Sequence, residues 1–179
     1  KALRPDVLVT SGHTKGAVTA ARQIGEMKIN TPIVAMTQCD SGKIIEKFGG
    51  TVEGFLCPTQ WAPTLTYSGK VFGKAQNFHD EFVAKYKENP PYQAAESAAA
   101  VIVYADALER AGKVDKEAVR EALTKTDLAT FYGQIKFDET GKNIAKPMAL
   151  YQIQNGKFVV VGPSKFAAAK AKIPRQPMN

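Results

Sequence analysis

Along the first sixty residues, apolar runs alternate with amphipathic stretches at the spacing of a strand–helix–strand–helix–strand unit. The runs are Asp6-Val7-Leu8-Val9-Thr10, Pro32-Ile33-Val34-Ala35-Met36 and Val52-Glu53-Gly54-Phe55-Leu56-Cys57. Short, nearly continuous runs of this kind read as strands covered on both faces, so the pattern predicts a parallel sheet packed by helices. Ala17, Ala20, Ala21 and Ile24 share one face of a helix that begins near Thr14 and stops at Gly25. Ile44, Ile45 and Phe48 mark a second, short helix, capped by Asp40 and ended by Gly49-Gly50. Ligands bind beyond the carboxyl ends of such strands, where loops and helix N-termini converge. Those ends read Ser11-Gly12-His13-Thr14, Thr37-Gln38-Cys39-Asp40 and Pro58-Thr59-Gln60-Trp61.

The pattern then changes. Residues 59–73 form a loop rich in large aromatic side chains, interrupted by Pro63, Gly69 and Gly73. A helix over 74–87 buries Ala75, Phe78, Phe82 and Tyr86, and Pro90-Pro91 breaks it. The stretch from Tyr92 to Ala111 predicts a long helix, apolar on nearly every side between Ala98 and Val103, which calls for protein around most of its surface. Asp115 caps a further helix carrying Val119, Ala122 and Leu123. Strands follow over 132–137, 148–154 and 157–161, the last two joined by the hairpin signal Asn155-Gly156. The tail from Ser164 has three lysines and two prolines and reads as loosely attached.

Composition excludes more than it selects. The chain has 179 residues, 44% hydrophobic and 23% charged, as expected of a folded globular protein. Its net charge is +7, but Lys165, Lys170, Lys172 and Arg175 lie in the final sixteen residues without an acid, so the body has little basic bias and nucleic acid is not an expected partner. The longest apolar run, Ala98 to Ala105, is bounded by Glu96 and Asp106 and is too short to span a membrane. No signal peptide is visible in a sequence that starts at Lys1. Cys39 and Cys57 follow neighbouring strands; spacing alone cannot establish bridging geometry, and the reading adopted is two free or buried thiols.

Gly12 and Gly16 match neither nucleotide-binding pattern, and Ser41-Gly42-Lys43 lacks the upstream glycine of a phosphate loop. Two histidines and two cysteines without ligand spacing predict no metal, and no cofactor is implied. Nucleophilic catalysis has one candidate constellation, Cys39 with His13 and Asp40 above the sheet, which is the α/β-enzyme reading. His79 beside Asp80 reads as a solvated surface group. Trp61 and Tyr67 either cap a core or offer a flat wall to a ring-shaped ligand, and Tyr92 either packs on the prolines or faces a ligand.

The order of "TSGHTKGAVTAARQIGEM", "PIVAM", "GGTVEGFLCPTQW", "PPYQAAESAAAVIVYADALERAG", "FYGQIKFDETGKN" and "QIQNGKFVV" resembles the substrate-binding proteins of branched-chain-amino-acid-type ABC transporters, with the type I periplasmic binding protein fold. The likeness covers residues 1–162. It implies an α/β, three-layer sandwich with a mostly parallel sheet, in a protein of two lobes joined by three crossings with the ligand between them. This chain corresponds to the second half: 1–70 in the second lobe, 71–145 returning to the first, 146–163 a hairpin rejoining the second, and 164–179 a basic tail.

The resemblance also implies site residues. His13, with Thr14 beside it, matches a position that supplies a ligand-contacting ring. Thr37 or Gln38 stands where amino-acid-binding members hold the ligand's ammonium with an acid, Tyr92 matches an aromatic contact, and Trp61 lies on the third strand-end loop. A buried ammonium without an anionic partner is costly. Unless Asp40 reaches in, an aromatic acid is therefore expected ahead of an amino acid. The implied role is a non-enzymatic solute-binding component of an ABC importer, exported to the periplasm or the outer cell surface and docking on a membrane permease. The alternative is a ligand-sensing regulatory domain of the same fold. The N-terminal half, on a separate chain or replaced by association between copies, is expected to cover an apolar face formed by Phe78, Phe82, Val101, Ile102 and Leu108.

Overall fold

The computed structural model describes residues 3–177, which divide into two units: residues up to Thr59 together with those from Met148 onward, and residues Gln60–Pro147. In the first unit, β1 (Val7–Thr10), β2 (Ile33–Met36) and β3 (Leu56–Thr59) run parallel. β8 (Ala149–Gln154) joins β3 antiparallel and β9 (Lys157–Gly162) completes the order β1-β2-β3-β8-β9. The helices α1 (Thr14–Glu26) and α2 (Gly42–Phe48) bury Ala17, Ala21, Ile24 and Ile44 against Val34, Met36, Val52, Phe55 and Ile153. These are the apolar positions that the 3.6- and 2-residue periods select.

Three local expectations shift. α1 passes Gly25 and ends at Glu26; a Cβ on Gly25 would meet Thr51 Cγ2 at 3.0 Å, so this glycine serves close packing rather than termination. Ser41, not Asp40, occupies the N-cap of α2, and Asp40 instead accepts a hydrogen bond from the Thr59 side chain. The third apolar run opens as a 3-10 turn, Gly49–Val52, and passes through Gly54 at φ +80° before β3 begins at Leu56. At the hairpin, Asn155 and Gly156 have φ of 53° and 68° as expected of a tight two-residue turn. The Glu53 carboxylate accepts both of their N–H groups, at 2.6 and 3.1 Å.

Two expectations are overturned. Cys39 and Cys57 form a disulfide, with Cα atoms 5.4 Å apart, rather than remaining free thiols. β2 and β3 are adjacent strands, and the chain after β2 brings Cys39 back beside β3. The tail is also held. Tyr151 and Ile153 of β8 face the apolar core, whereas the alternate residues Gln152 and Gln154 donate to the carbonyls of Lys172 and Lys170 at 2.9 and 3.0 Å. Arg175 is only 5% exposed and donates to the carbonyls of Thr31, Ile29 and Thr51. Its charge therefore satisfies backbone acceptors inside the unit.

The second unit contains α3 (Ala75–Tyr86), α4 (Tyr92–Ala111) and α5 (Lys116–Thr124), with two-stranded ribbons β4 (Ser68–Gly69) with β5 (Gly73–Lys74) and β6 (Asp127–Thr130) with β7 (Gly133–Lys136). α4 begins after Pro91 and stops at Gly112 in the left-handed conformation, the expected punctuation. The Asp115 carboxylate caps α5 by accepting from Ala118 N at 2.9 Å. β6 escapes sequence patterning because Asp-Leu-Ala-Thr is short and half polar. Trp61, Phe72, Phe78 and Phe131 form the core here, with Phe78 and Phe131 stacked at 4.3 Å and the remaining contacts edge-to-face. Such pairs contribute about 0.5–1.5 kcal/mol each beyond area burial. Phe78 is thus buried within the unit, whereas Val101 on α4 is 69% exposed; the expected exposed apolar face is reduced to part of α4.

Candidate functional site

In the first unit the loops after β1 and β2 are tied together at the carboxyl ends of the strands. Thr37 Oγ1 accepts from Gly12 N and donates to Gly12 O, both at 2.8 Å, and Thr37 N donates to Thr10 O at 3.1 Å. Thr37 thereby spends its hydroxyl on holding the loop that carries His13. His13 occupies the N-cap of α1 without a side-chain capping bond, and both it and Thr14 are exposed. Gln38 is half-buried at φ +59°, a left-handed conformation that costs a non-glycine residue energy and is often found at functional sites. Thr10 Oγ1 is buried at the same strand end without a hydrogen-bond partner among the described residues.

Asp40 is half-buried next to this loop. Burial pushes its carboxyl above the usual aspartate range, opposed by the hydrogen bond from Thr59. The constellation of Cys39, His13 and Asp40 has no nucleophile, because Cys39 is bonded to Cys57 and a disulfide sulfur is not a thiolate. The enzyme reading built on Cys39 fails on that bond.

In the second unit, Trp61 is only 2% exposed, and its indole N–H donates to Phe131 O at 3.2 Å. The ring belongs to the aromatic core rather than to an open wall. Tyr92, the first residue of α4, is half-buried against the same core. His79 is less solvated than expected: its ring bonds Asp80 at 2.9 Å and Asn89 at 3.1 Å.

A cavity of about 480 Å³ lies against α4, lined by Glu96, Ala99 and Val103, by Tyr132 and Ile135, and by Lys146. Its size is that of small-molecule sites. Lys146 donates to the Gln60 carbonyl, and its ammonium sits 4.1 Å from the centre of the Tyr132 ring. Desolvation lowers Lys146 to a pKa of about 8, opposed by the Glu96 charge. Burial, and then Glu96, raise the Tyr132 phenol, so it stays protonated. Sequence reasoning passed over these three residues. A single lysine among many carries no signal, and the one local hint was Gly133 directly after Tyr132. Among the described residues no group of histidine, cysteine and carboxylate side chains is arranged to hold a metal ion.

The sequence pattern of one family, described as periplasmic binding protein, matches residues 1–157. A leucine binding protein, LivK, from Thermotoga maritima is 27% identical with a TM-score of 0.77 over 89% of this chain and 44% of its own. The branched-chain amino acid transporter substrate binding protein LivJ from Streptococcus pneumoniae, solved with isoleucine, is 24% identical with a TM-score of 0.73 over 88% of this chain and 45% of its own. An ABC transporter substrate-binding protein from Desulfitobacterium hafniense, solved with Leu, is 21% identical with a TM-score of 0.66 over 89% of this chain and 44% of its own. The chain spans less than half the length of these relatives.

Proposed function

The chain belongs to the periplasmic binding protein family, and on that premise we propose that it is part of the extracytoplasmic solute-binding component of an ABC importer. The observation that carries this is the family match over residues 1–157, with donor-bearing loops gathered at the carboxyl ends of β1 and β2. In this reading His13, Thr14 and Gln38 contribute to ligand capture in the first unit, with Thr37 holding the loop that carries His13; in the second unit, taken by itself, Tyr92 is the candidate aromatic contact. Trp61 contributes by supporting the core beneath Tyr92. Ligand binding shifts an open–closed equilibrium of the two lobes, and the closed form is the one a membrane permease accepts. Catalysis has no part in this role.

The ligand is a small carboxylate with an apolar body. Branched-chain amino acids come first, since relatives were solved with leucine and isoleucine. An aromatic acid comes second, because the indole that would have stacked on it is enclosed. Residence outside the cytoplasm agrees with the Cys39–Cys57 disulfide, which persists in oxidising compartments.

The test is a thermal-shift panel followed by calorimetry with leucine, isoleucine and benzoate. A ligand that binds the folded state raises its melting temperature. A shift with leucine or isoleucine supports the reading; no shift with any amino acid or aromatic acid overturns it.

A further inference from the structure

We propose that the cavity beside α4 is a carboxylate pocket in which Lys146 holds the anionic end of a small organic acid. This rests on the solute-binding reading and assigns, within the second unit, a residue that takes the ligand's negative charge; the strand-end loops of the first unit do not line this cavity.

Lys146 is fixed along its whole length. Its stem lies over Gly133, where an added Cβ would come within 2.6 Å of Lys146 Cδ, and this glycine has φ +136°. Its ammonium lies 4.1 Å from the centre of the Tyr132 ring and donates to the Gln60 carbonyl. An ammonium has three donors, and among the described residues Gln60 is the acceptor it has; no carboxylate comes within ion-pair distance. A half-buried cation with no anion at contact distance is costly: burial draws its proton affinity down to a pKa of about 8, against a weaker upward pull from the Glu96 charge. An anion entering the cavity would supply a partner at contact distance and raise that proton affinity again.

The neighbours suit such a guest. Tyr132 lines the same cavity, and its hydroxyl, which makes no hydrogen bond among the described residues, is kept protonated and so has a proton to donate to a second carboxylate oxygen. Ala99, Val103, Ile135 and Leu123 offer an apolar surface for the body of the ligand. Glu96 and Tyr104 complete the titratable lining. The Glu96 carboxylate repels a simple anion but accepts an ammonium, which favours an α-amino acid over a plain acid.

The test uses calorimetric titration of leucine, leucinamide, benzoate and benzamide into the wild-type protein, Lys146→Met and Lys146→Arg. The wild type is expected to prefer each carboxylate over its amide at least about tenfold, Lys146→Arg to keep the preference, and Lys146→Met to lose it. Wild-type affinity for benzoate should also fall between pH 8 and 10 as Lys146 loses its proton, while Lys146→Met stays flat. Because the amide-to-acid ratio is read within one variant, a loss of overall stability does not move it. A Lys146→Met protein that keeps the wild-type ratio overturns the assignment and leaves the solute-binding reading standing. Absence of binding by all four compounds to the wild type overturns both. Leucine preferred over benzoate would identify the guest as an amino acid, with Glu96 as the ammonium partner; the reverse would identify a plain acid.

Discussion

The guanidinium of Arg175 lies 5.4 Å from the centre of the Phe55 ring, where it also donates to the Ile29 carbonyl at 2.6 Å. A residue near the end of the chain thus closes the first unit around a turn 146 positions earlier. A guanidinium lays its flat face on a ring while five N–H donors fan out in its plane toward carbonyls, a geometry that a lysine ammonium does not reproduce.

Arg175→Ala should therefore destabilise the first unit by about 2–4 kcal/mol, because it leaves buried carbonyls without donors. Chemical denaturation followed by circular dichroism measures this directly. A loss under about 0.5 kcal/mol, the usual range for a surface change, would show that the tail is not anchored.

The disulfide closes a loop with a sequence separation of 18. Loop-closure entropy for a loop of this size predicts a loss of about 3 kcal/mol for the Cys39→Ala, Cys57→Ala double variant. Alkylation under denaturing, non-reducing conditions followed by mass spectrometry should find no free thiol. Two alkylated cysteines would refute the bond.

Trp61→Phe removes the hydrogen bond to Phe131 O and part of the edge-to-face contact with Phe78. We expect a stability loss of about 1–3 kcal/mol, in the range for a buried hydrogen bond plus lost packing. Affinity for leucine should change little in comparison. A large affinity loss at unchanged stability would instead place Trp61 in direct contact with the ligand.

Lys146 has a folded pKa of about 8 against 10.5 for the free side chain. Above pH 8 the unfolded chain holds a proton that the folded one has released. The slope of unfolding free energy with pH is then positive for this group, so its destabilising contribution fades between pH 8 and about 10.5. Lys146→Met should therefore gain stability relative to wild type at pH 7, with the difference shrinking by pH 10. Parallel denaturation curves at both pH values, with the same difference, would contradict this.

Much of the fold was legible because it is written in short range. The period of apolar residues places α1, α3, α4 and α5. Pro91 and Gly112 bound α4, Asp115 starts α5, and Asn155-Gly156 turns β8 into β9. The loops bearing His13 and Thr37 were legible for the same reason, since strand ends in such sheets are where ligands meet polar groups. Gly25 misled, because a glycine reads the same whether it ends a helix or admits a neighbour such as Thr51.

Short-range patterns in the chain were enough for the main helices, the parallel strands, the final hairpin, the family and the strand-end loops, because these depend on neighbours within a few positions; the short strands β4, β5 and β6 were not among them. Which distant groups meet emerged with the folded chain. Cys39 met Cys57, Trp61 met Phe131, and Arg175 met Ile29. Lys146 met Gln60 across 86 positions, and that contact made an ordinary lysine a half-buried cation beside a cavity. A side chain's charge is written in the sequence, but the cost of that charge depends on what surrounds it, and only folding assembles the surroundings.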